Sequence, residues 1–441
     1  MNTKERSRRR FLKEGAALAG LAVGGVRSVS GQKREITRLP TWEEVEGKTP
    51  HYYQRTPRRT YGTPSPFEAV HREPKTPGDR AWATPLDQVT GIITPSGLHF
   101  EIGPTPTPDI DPRQHRLLIQ GMVDRPVILT MEELKRLPAV SRIHFVECEG
   151  NGNTVIQEFM RYGGMMQEGL TLRHICGSTS CSEWTGVLLS VLLKEAGVQE
   201  GARWVVAESA DPGKNFRNVP LDKAMDDVMV AYGQNGEAIR PEQGYPIRLL
   251  VPGWEGNINV KWLRQLKVTD RRYAANNREK GFLLTYPDMN PDEKGRWFQF
   301  ELGPKSIITF PSLGRQLPGP GFYEISGLAW AGAGAIRRVE ISTDGGRTWK
   351  DARLDAPVLP KAHTRFRIPW NWDGKEVVIS SRCTDEKGHI QPTLEEYSKL
   401  YGVPIEHWVT TSGGVYHWNP INPFRISQDG KVHNAIYPLP L

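Results

Sequence analysis

Residues 142–151, with the sequence RIHFVECEGN, join an apolar strand directly to a turn. The β-branched and aromatic residues of 142–147 favour a strand, and the turn begins at Cys148. A cysteine on a turn at a strand end is sterically accessible, and the nearby Gly150 lets a large ligand approach the backbone. This stretch therefore predicts a ligand site at the end of a strand.

Short strand-type and helix-type runs alternate on both sides of this stretch, from about Leu86 to Asp270. Strong turn signals separate them, so the pattern favours an α+β domain over a regular βαβ array. The predicted helices are 187–196, ended by Gly197, and 221–229, and the predicted strands are 204–208, 247–252 (followed by the turn Gly253-Trp254-Glu255-Gly256-Asn257) and 260–268.

The helical pattern disappears from about Pro304. The dipeptide Asp344-Gly345 between two of the later runs is a hairpin-turn signal. Short strands with interleaved tryptophans are typical of an all-β immunoglobulin-like sandwich. The predicted strands of this part are 323–330, 337–342, 348–354, 363–368 and 376–383, with Trp330, Trp349, Trp370 and Trp372 among or beside them.

The N-terminal region carries an export signal. The run Ser7-Arg8-Arg9-Arg10-Phe11-Leu12-Lys13 precedes a short apolar stretch and the small-x-small triplet Ser28-Val29-Ser30. Paired arginines in this position are typical of a twin-arginine signal peptide, and the apolar stretch is shorter than the ~20 residues that a membrane span needs. We expect residues 1–30 to direct export of a folded protein to the periplasm. No other stretch is long and apolar enough to predict a membrane span.

The 441 residues allow two or three domains after this signal. Residues 31–85 are rich in Pro, Arg and Thr and lack periodicity, so we interpret them as an extended arm. The α+β domain occupies 86–300 and the sandwich 301–441. The net charge is +7, and no basic-aromatic block predicts nucleic acid as a partner.

The chain contains four cysteines, Cys148, Cys176, Cys181 and Cys383, and no CxxC or CxxCH motif. The sequence therefore predicts no covalent haem site on this chain. We expect Cys176 and Cys181 to be structural thiols, with a disulfide between them left open, and Cys383 to be a core residue.

Two cations, Arg248 and Lys261, lie in predicted strands of the first domain, and the pair suits a phosphate or a pterin. Each feature also has a structural interpretation. An isolated cysteine is most often a core residue, a strand arginine is most often part of a surface ion pair, and a Trp-Gly turn often serves only packing.

Taken together, these motifs resemble the sulfite-oxidase family of molybdenum enzymes over nearly the whole chain after the signal. Within that family the resemblance is strongest to sulfane dehydrogenases of sulfur-oxidising systems. The motifs that carry it are residues 91–95 (GIITP), 180–186 (SCSEWTG), 252–257 (PGWEGN), 327–330 (GLAW) and 342–349 (STDGGRTW). The resemblance implies a molybdopterin-binding α+β domain followed by an immunoglobulin-like dimerisation domain.

The resemblance also implies roles for individual residues. Cys148 corresponds to the thiolate ligand of molybdenum, and Tyr286 to a tyrosine beside the metal. The expected cofactor is molybdenum–molybdopterin, and the residues expected to bind it besides Cys148 are Gln243, Arg248, Asn259 and Lys261.

Two positions depart from the family pattern. Many relatives carry an arginine after the Phe-Glu of 99–101, where this chain has Ile102. Relatives also often carry a histidine near position 176, where this chain has Cys176. The first departure removes a basic group and weakens the prediction of free sulfite as substrate, because a small dianion needs clustered positive charge.

The resulting expectation is a molybdenum-dependent oxidation of carrier-bound sulfane sulfur. Electrons would pass to a c-type cytochrome subunit, and a carrier protein would present the sulfur. One alternative is a sulfite dehydrogenase that uses a cytochrome c acceptor. Another is a non-catalytic binding module that kept the fold and lost the metal.

Overall fold

The computed structural model describes residues 62, 64–65, 67–68, 70–74, 81–103, 105–152, 171–213, 215–273, 301–400 and 417–436. The chain divides into two units, Met1–Glu68 and Ala69–Leu441, and the description below concerns the second. The predicted signal peptide, most of the predicted arm and Tyr286 lie outside the described residues. No helix among the described residues is long and apolar enough to cross a membrane.

The first part of this unit contains two five-stranded sheets. One has the order β10-β9-β6-β5, with β11 also paired to β9, and the other has the order β4-β3-β12-β7-β8. All pairs are antiparallel except β3 with β12. The strands are β1 (Glu73–Pro74), β2 (Trp82–Ala83), β3 (Leu117–Gly121), β4 (Val127–Leu129), β5 (Ala139–Glu147), β6 (Thr179–Leu188), β7 (Trp204–Ser209), β8 (Phe216–Pro220), β9 (Met229–Gln234), β10 (Glu237–Ala238), β11 (Arg248–Leu250) and β12 (Leu263–Thr269).

Short helices connect these strands. The first begins at the N-cap Thr130, whose side chain and that of Glu133 form a reciprocal capping box. The helices are α1 (Met131–Arg136), α2 (Leu172–Cys176), α3 (Leu189–Ala196) and α4 (Leu221–Asp226), and the 3-10 turns are Ser96–Leu98, Pro241–Gln243 and Gly256–Ile258.

The second part is built from two fully antiparallel sheets with the orders β13-β14-β18-β17 and β16-β15-β19-β20-β21. Apolar residues of both sheets, such as Phe366 and Phe424, share one buried core, so the sheets form a β-sandwich as predicted. The elements are β13 (Lys305–Phe310), β14 (Gly321–Trp330), β15 (Ile336–Ser342), β16 (Lys350–Asp351), β17 (Arg353–Leu354), β18 (Thr364–Trp372), β19 (Val377–Asp385), α5 (Leu394–Leu400), β20 (Phe424–Ile426) and β21 (Val432–Asn434).

The sandwich core continues into the first part of the unit. Phe145 of β5 and Ile175 of α2 belong to the same buried cluster as Trp330 of β14. The end of β5 therefore lies against the sandwich, and this contact bears on the cysteine turn described below.

Both predicted helices of the first domain are shorter than expected. Residues 187–188 end β6, so α3 begins at Leu189 and ends before Gly197, whose φ is 72°. Residues 227–229 fall outside α4, and Met229 begins β9. The physical reason is cross-strand pairing, because Leu188 pairs with Met229 across β6 and β9.

The second domain also contains a short helix, α5, which no helical pattern in the sequence indicated. Thr393 and Glu396 exchange hydrogen bonds at its start, and Tyr397 is fully buried. The Asp344-Gly345 signal marks a longer loop between β15 and β16, in which Asp344 accepts a hydrogen bond from the Thr348 amide at 2.9 Å. The predicted strand 348–354 is two short strands, β16 and β17, in different sheets.

Candidate active site

A cavity of about 490 Å³ lies in the first domain, within the range of small-molecule and cofactor sites. Five of the six residues predicted for the site line it, and the sixth, Tyr286, lies outside the described residues. The lining residues are His99, Phe100, Ile102, Gly103, Val146, Cys148, Glu149, Ser209, Asn215, Arg217, Gln243, Arg248, Gly256, Asn257, Asn259, Val260, Lys261 and Trp262.

Cys148 follows the last residue of β5 and opens the predicted turn. Its amide donates to the Ser178 carbonyl at 2.9 Å, and its carbonyl accepts from the Asn151 amide at 2.9 Å. Cys148 is half-buried, whereas the other three cysteines are buried, and none of the four is in a disulfide. The single thiol that reaches the cavity is thus held by backbone hydrogen bonds on both sides.

The cysteine turn is packed closely against the turn 252–257. A Cβ added at Gly256 would lie 2.8 Å from the Glu147 carbonyl oxygen, closer than real Cβ contacts allow. A Cβ at Gly150 would meet only the Cys148 Sγ, at 3.9 Å. Gly256 therefore permits the close packing of the two turns, and the approach of a ligand at Gly150 stays a prediction.

Arg248, at the start of β11, is fully enclosed. Its guanidinium donates to the backbone carbonyls of Gln243 at 3.0 Å and Asn259 at 3.3 Å, and it lies 4.9 Å from the centre of the Trp184 ring. Its Nε has no hydrogen-bond partner among the described residues. Burial lowers the pKa of Arg248 to about 9.

Lys261, which is half-buried, is the second cation of the cavity. Its ammonium donates to the carbonyls of Ile102 at 3.1 Å and Glu242 at 2.9 Å. Burial, together with the charge of Arg248, lowers the pKa of Lys261 to about 8. Within the described residues, only backbone oxygens accept hydrogen bonds from these two cations, which leaves positive charge for an anionic ligand to balance.

His99 adds a neutral donor or acceptor to the same wall. Its Nδ1 lies 3.1 Å from the Phe100 carbonyl oxygen, and its Nε2 has no partner in the part of the chain that the structure describes. Burial lowers the pKa of His99 to about 3, so the ring is neutral at physiological pH. No sequence pattern predicted that His99 lines the cavity, because a histidine in an apolar run is most often a core residue.

The side-chain amides of Gln243 and Asn259 form hydrogen bonds with other residues of the protein. Gln243 Nε2 donates to the Phe100 carbonyl at 2.8 Å. The Asn259 side chain accepts from the Val251 amide at 2.7 Å and donates to the Glu255 carbonyl at 2.9 Å. Both amides therefore fix the shape of the wall, and their contact with a cofactor stays a prediction.

Ile102 lies in the cavity wall and contacts the apolar cluster that includes Phe100 and Trp184. No cation stands at that position. The cavity has another cation, Arg217 of β8, which sequence analysis did not single out. Its Nε donates to the Asn257 Oδ1 at 3.4 Å.

Two buried carboxyl groups lie beside Arg217. Asn257 Nδ2 donates to Glu149 at 2.6 Å and to Glu255 at 2.8 Å. Burial and the neighbouring Glu255 raise the pKa of Glu149 well above its usual range, and burial raises that of Glu255 to about 7. Glu149, which lines the cavity next to Cys148, and Glu255 behind it therefore favour their neutral forms.

Comparison with known proteins identifies this architecture. Residues 103–277 match the oxidoreductase molybdopterin binding domain, and residues 296–412 match the Mo-co oxidoreductase dimerisation domain. Sulfite oxidase of Gallus gallus is 30% identical over 338 residues, which cover 72% of each chain. The chain belongs to the sulfite-oxidase family. It is a molybdopterin oxidoreductase, and the predicted family and fold class are confirmed.

The chain is also similar to two further proteins. The crystal structure of the sulfane dehydrogenase SoxCD from Paracoccus pantotrophus is 37% identical, with a TM-score of 0.77, and the match covers 90% of this chain and 99% of that one. NADH nitrate reductase of Solanum lycopersicum is 30% identical over 342 residues. That match covers 68% of this chain and only 36% of the nitrate reductase.

The residues present fit the molybdopterin that the matched domain implies. Arg248 and Lys261 offer charge to a phosphate, and the Nε of Arg248 and the Nε2 of His99 offer unpaired polar atoms in the wall. The half-buried thiol of Cys148 is a soft ligand suited to the metal.

Proposed function

We propose that this chain oxidises carrier-bound sulfane sulfur at a molybdenum centre and passes the electrons to a c-type cytochrome subunit. The observation that carries the proposal is the cavity wall near Cys148, where the apolar side chain of Ile102 lies and no cation stands at that position. A free dianion such as sulfite needs clustered positive charge, whereas sulfur carried on a protein needs a site that the carrier can approach. The 37% identity to a sulfane dehydrogenase supports the same choice.

Three residues of the cavity would have a part in this chemistry. Bound molybdopterin would supply a two-electron oxidation coupled to oxygen transfer. The Cys148 thiolate would hold the metal, and Arg248 and Lys261 would hold the pterin and its phosphate. Tyr286 stays the predicted donor of a hydrogen bond to a sulfur-bound oxygen.

We further propose three partners: a haem-bearing subunit of the SoxD type, a carrier protein that bears the substrate sulfur, and a second copy of this chain bound through the C-terminal domain. The match to a dimerisation domain supports the second copy, and the similarity to SoxCD supports the haem-bearing subunit. The carrier protein follows from the proposed substrate. Cross-linking followed by mass photometry of the purified chain would test the dimer.

The twin-arginine run 7–13 supports export to the periplasm in the folded state. Replacing Arg8 and Arg9 with lysine should leave full-length precursor in the cytoplasm with its cofactor bound. Fractionation followed by immunoblotting measures this. Unchanged export of that variant would contradict the twin-arginine proposal without bearing on the catalytic one.

Substrate choice is tested by comparing turnover of three compounds by the purified, cofactor-loaded chain. Each compound represents one of the three relatives. Sulfite is assayed with ferricyanide for sulfite oxidase, and nitrate with reduced viologen for nitrate reductase. A persulfide-bearing carrier peptide is assayed with a cytochrome c acceptor for sulfane dehydrogenase. We expect turnover of the carrier peptide to exceed the other two. Fast turnover of free sulfite would instead establish the alternative, a sulfite dehydrogenase, which the similarity to sulfite oxidase favours.

The metal ligand is tested by Cys148→Ser. The variant should fold and bind the pterin but lose turnover, because a serine oxygen is a poor replacement for a soft thiolate. Pterin fluorescence after denaturation and molybdenum analysis measure the loading. Cys176→Ser is the matched control, since Cys176 is buried in the core. Activity retained by Cys148→Ser would refute the assignment, and a purified protein without molybdenum would support a non-catalytic module.

A further inference from the structure

The residue before the predicted metal ligand, Glu147, is a fully buried carboxylate with a partner from the second domain. Lys305 of β13 donates to it at 2.7 Å, and Trp330 of β14 donates to it at 2.6 Å. On its own side of the contact, Asn151 Nδ2 donates to it at 2.9 Å. The sandwich domain therefore contacts the first residue of the cysteine turn through two buried donors.

The same lysine reaches the other end of the turn. Lys305 Nζ donates to the Asn151 carbonyl oxygen at 2.8 Å, while the Asn151 side chain accepts from the Ser178 amide at 3.0 Å. One ammonium group thus holds residues 147 and 151 together, and Cys148 lies between them. Lys305 is itself buried, with 5% of its side chain exposed.

We propose that Lys305 is a positioning residue for Cys148, and that the second domain fixes the metal-binding turn as well as serving dimerisation. This rests on the proposed function, in which Cys148 binds the metal. A buried ion pair need not add net stability, because desolvation offsets the attraction, but it can select one arrangement of the groups it joins. Here the arrangement selected is that of the thiol at the cavity wall.

The chain offers a matched control at a second contact between the domains. Lys361 Nζ donates to Asp227 Oδ2 at 2.6 Å, and both side chains are more than four-fifths buried. This pair has the same chemistry as Lys305 with Glu147 but does not reach residues 147–151. If loss of a lysine acts only by loosening the contact between the domains, substitution of Lys305 and of Lys361 should have the same effect.

Thiol labelling of the full chain, purified from a host that cannot make molybdopterin, tests the proposal without turnover. Cys148 is the only half-buried cysteine, and burial raises the pKa of Cys181 to about 12, so Ellman's reagent under native conditions reports on Cys148. Lys305→Met should label about tenfold to hundredfold faster, because the turn loses charge-assisted hydrogen bonds. Lys305→Arg should restore slow labelling, and Lys361→Met should label at the wild-type rate.

Unchanged labelling of Lys305→Met, or an equal increase in Lys361→Met, would overturn the proposal. If Lys305→Met does not fold, Glu147→Gln replaces it, since the amide keeps the shape and removes the charge. In the cofactor-loaded enzyme, Lys305→Met should lower kcat with little change in KM and alter the Mo(V) EPR spectrum. A wild-type spectrum would also overturn the proposal. If every variant fails to oxidise sulfur but the labelling rates differ as expected, the proposed function is refuted and the positioning role of Lys305 is not.

Discussion

Arg248→Met gives the strongest prediction about the cavity, because it should affect the cofactor-free and cofactor-loaded proteins in different ways. Arg248 is fully buried, its guanidinium donates to two backbone carbonyls, and its Nε has no partner among the described residues. Methionine has a similar length and no charge. The variant therefore removes a buried cation while keeping most of the packing.

The magnitude follows from the pKa and the hydrogen bonds. Lowering the pKa of Arg248 from 12.5 to about 9 corresponds to about 4–5 kcal/mol of destabilisation that the variant relieves, at about 1.36 kcal/mol per pKa unit. Against this, the carbonyls of Gln243 and Asn259 lose donors at about 1–2 kcal/mol each. Loss of the contact with the Trp184 ring costs about 1–2 kcal/mol more. The stability of the cofactor-free variant should thus stay within about 2 kcal/mol of wild type.

Cofactor binding should respond much more strongly. A hydrogen bond to a charged group contributes about 1.5–3 kcal/mol, so affinity for the pterin should fall by about tenfold to a hundredfold. Urea unfolding of the cofactor-free chain and molybdopterin content after dialysis measure the two effects. Destabilisation of the cofactor-free form by more than about 3 kcal/mol, or full retention of the cofactor, would refute the reasoning.

Arg365→Met is the matched control. Arg365 is also a buried arginine, and its donors are occupied by the carbonyls of Val89 at 2.6 Å and Gly91 at 2.8 Å. It does not line the cavity. Its loss should destabilise the chain with and without cofactor and leave the pterin affinity unchanged.

Two further predictions concern Lys261 and Gly256. Burial lowers the pKa of Lys261 from 10.5 to about 8. Between those two pH values the unfolded chain binds a proton that the folded chain lacks. The stability of the cofactor-free protein therefore rises with pH in that range. Lys261→Met removes the titrating group, so urea unfolding should give the variant a larger free energy of unfolding than wild type at pH 8. This difference should shrink by about 3 kcal/mol between pH 8 and a pH above 10.5. A difference that does not change with pH would contradict the prediction. Gly256→Ala places a Cβ 2.8 Å from the Glu147 oxygen and should lower the free energy of unfolding by about 1–3 kcal/mol. Gly97→Ala, with nothing within 4 Å, should be neutral, and equal effects of the two would disprove the close contact.

The sequence predicted those features that depend on local pattern. The strand ending at Glu147, the accessible thiol at Cys148 and the strand-rich second domain follow from residue type and spacing. Arg248 and Lys261 were paired on residue type and then placed in the cofactor site by family resemblance, and the cavity brings them together. Family resemblance could place these residues because it carries long-range information that periodicity lacks.

The features that could not be predicted depend on contacts between distant segments. Arg217 lies in a short strand with no motif, and only the pairing of β8 with β7 brings it to the cavity. Lys305 is separated by 158 residues from Glu147, and nothing in either local sequence links them. The end of the predicted helix 221–229 was wrong for the same reason, since the pairing of Met229 with Leu188 is a long-range contact.

The cavity also bears on the order of folding and cofactor binding. Its walls come from residues 99–103, 146–149, 209–217 and 243–262, so no local segment can form it alone. The buried charges of Arg248 and Lys261 destabilise the empty site, and an anionic ligand would offset that cost. The sheets of this domain must therefore assemble before a cofactor can bind in the cavity. This requirement supports the proposal of export in the folded state, because a route that threads an unfolded chain would separate the walls of the site before the ligand could be retained.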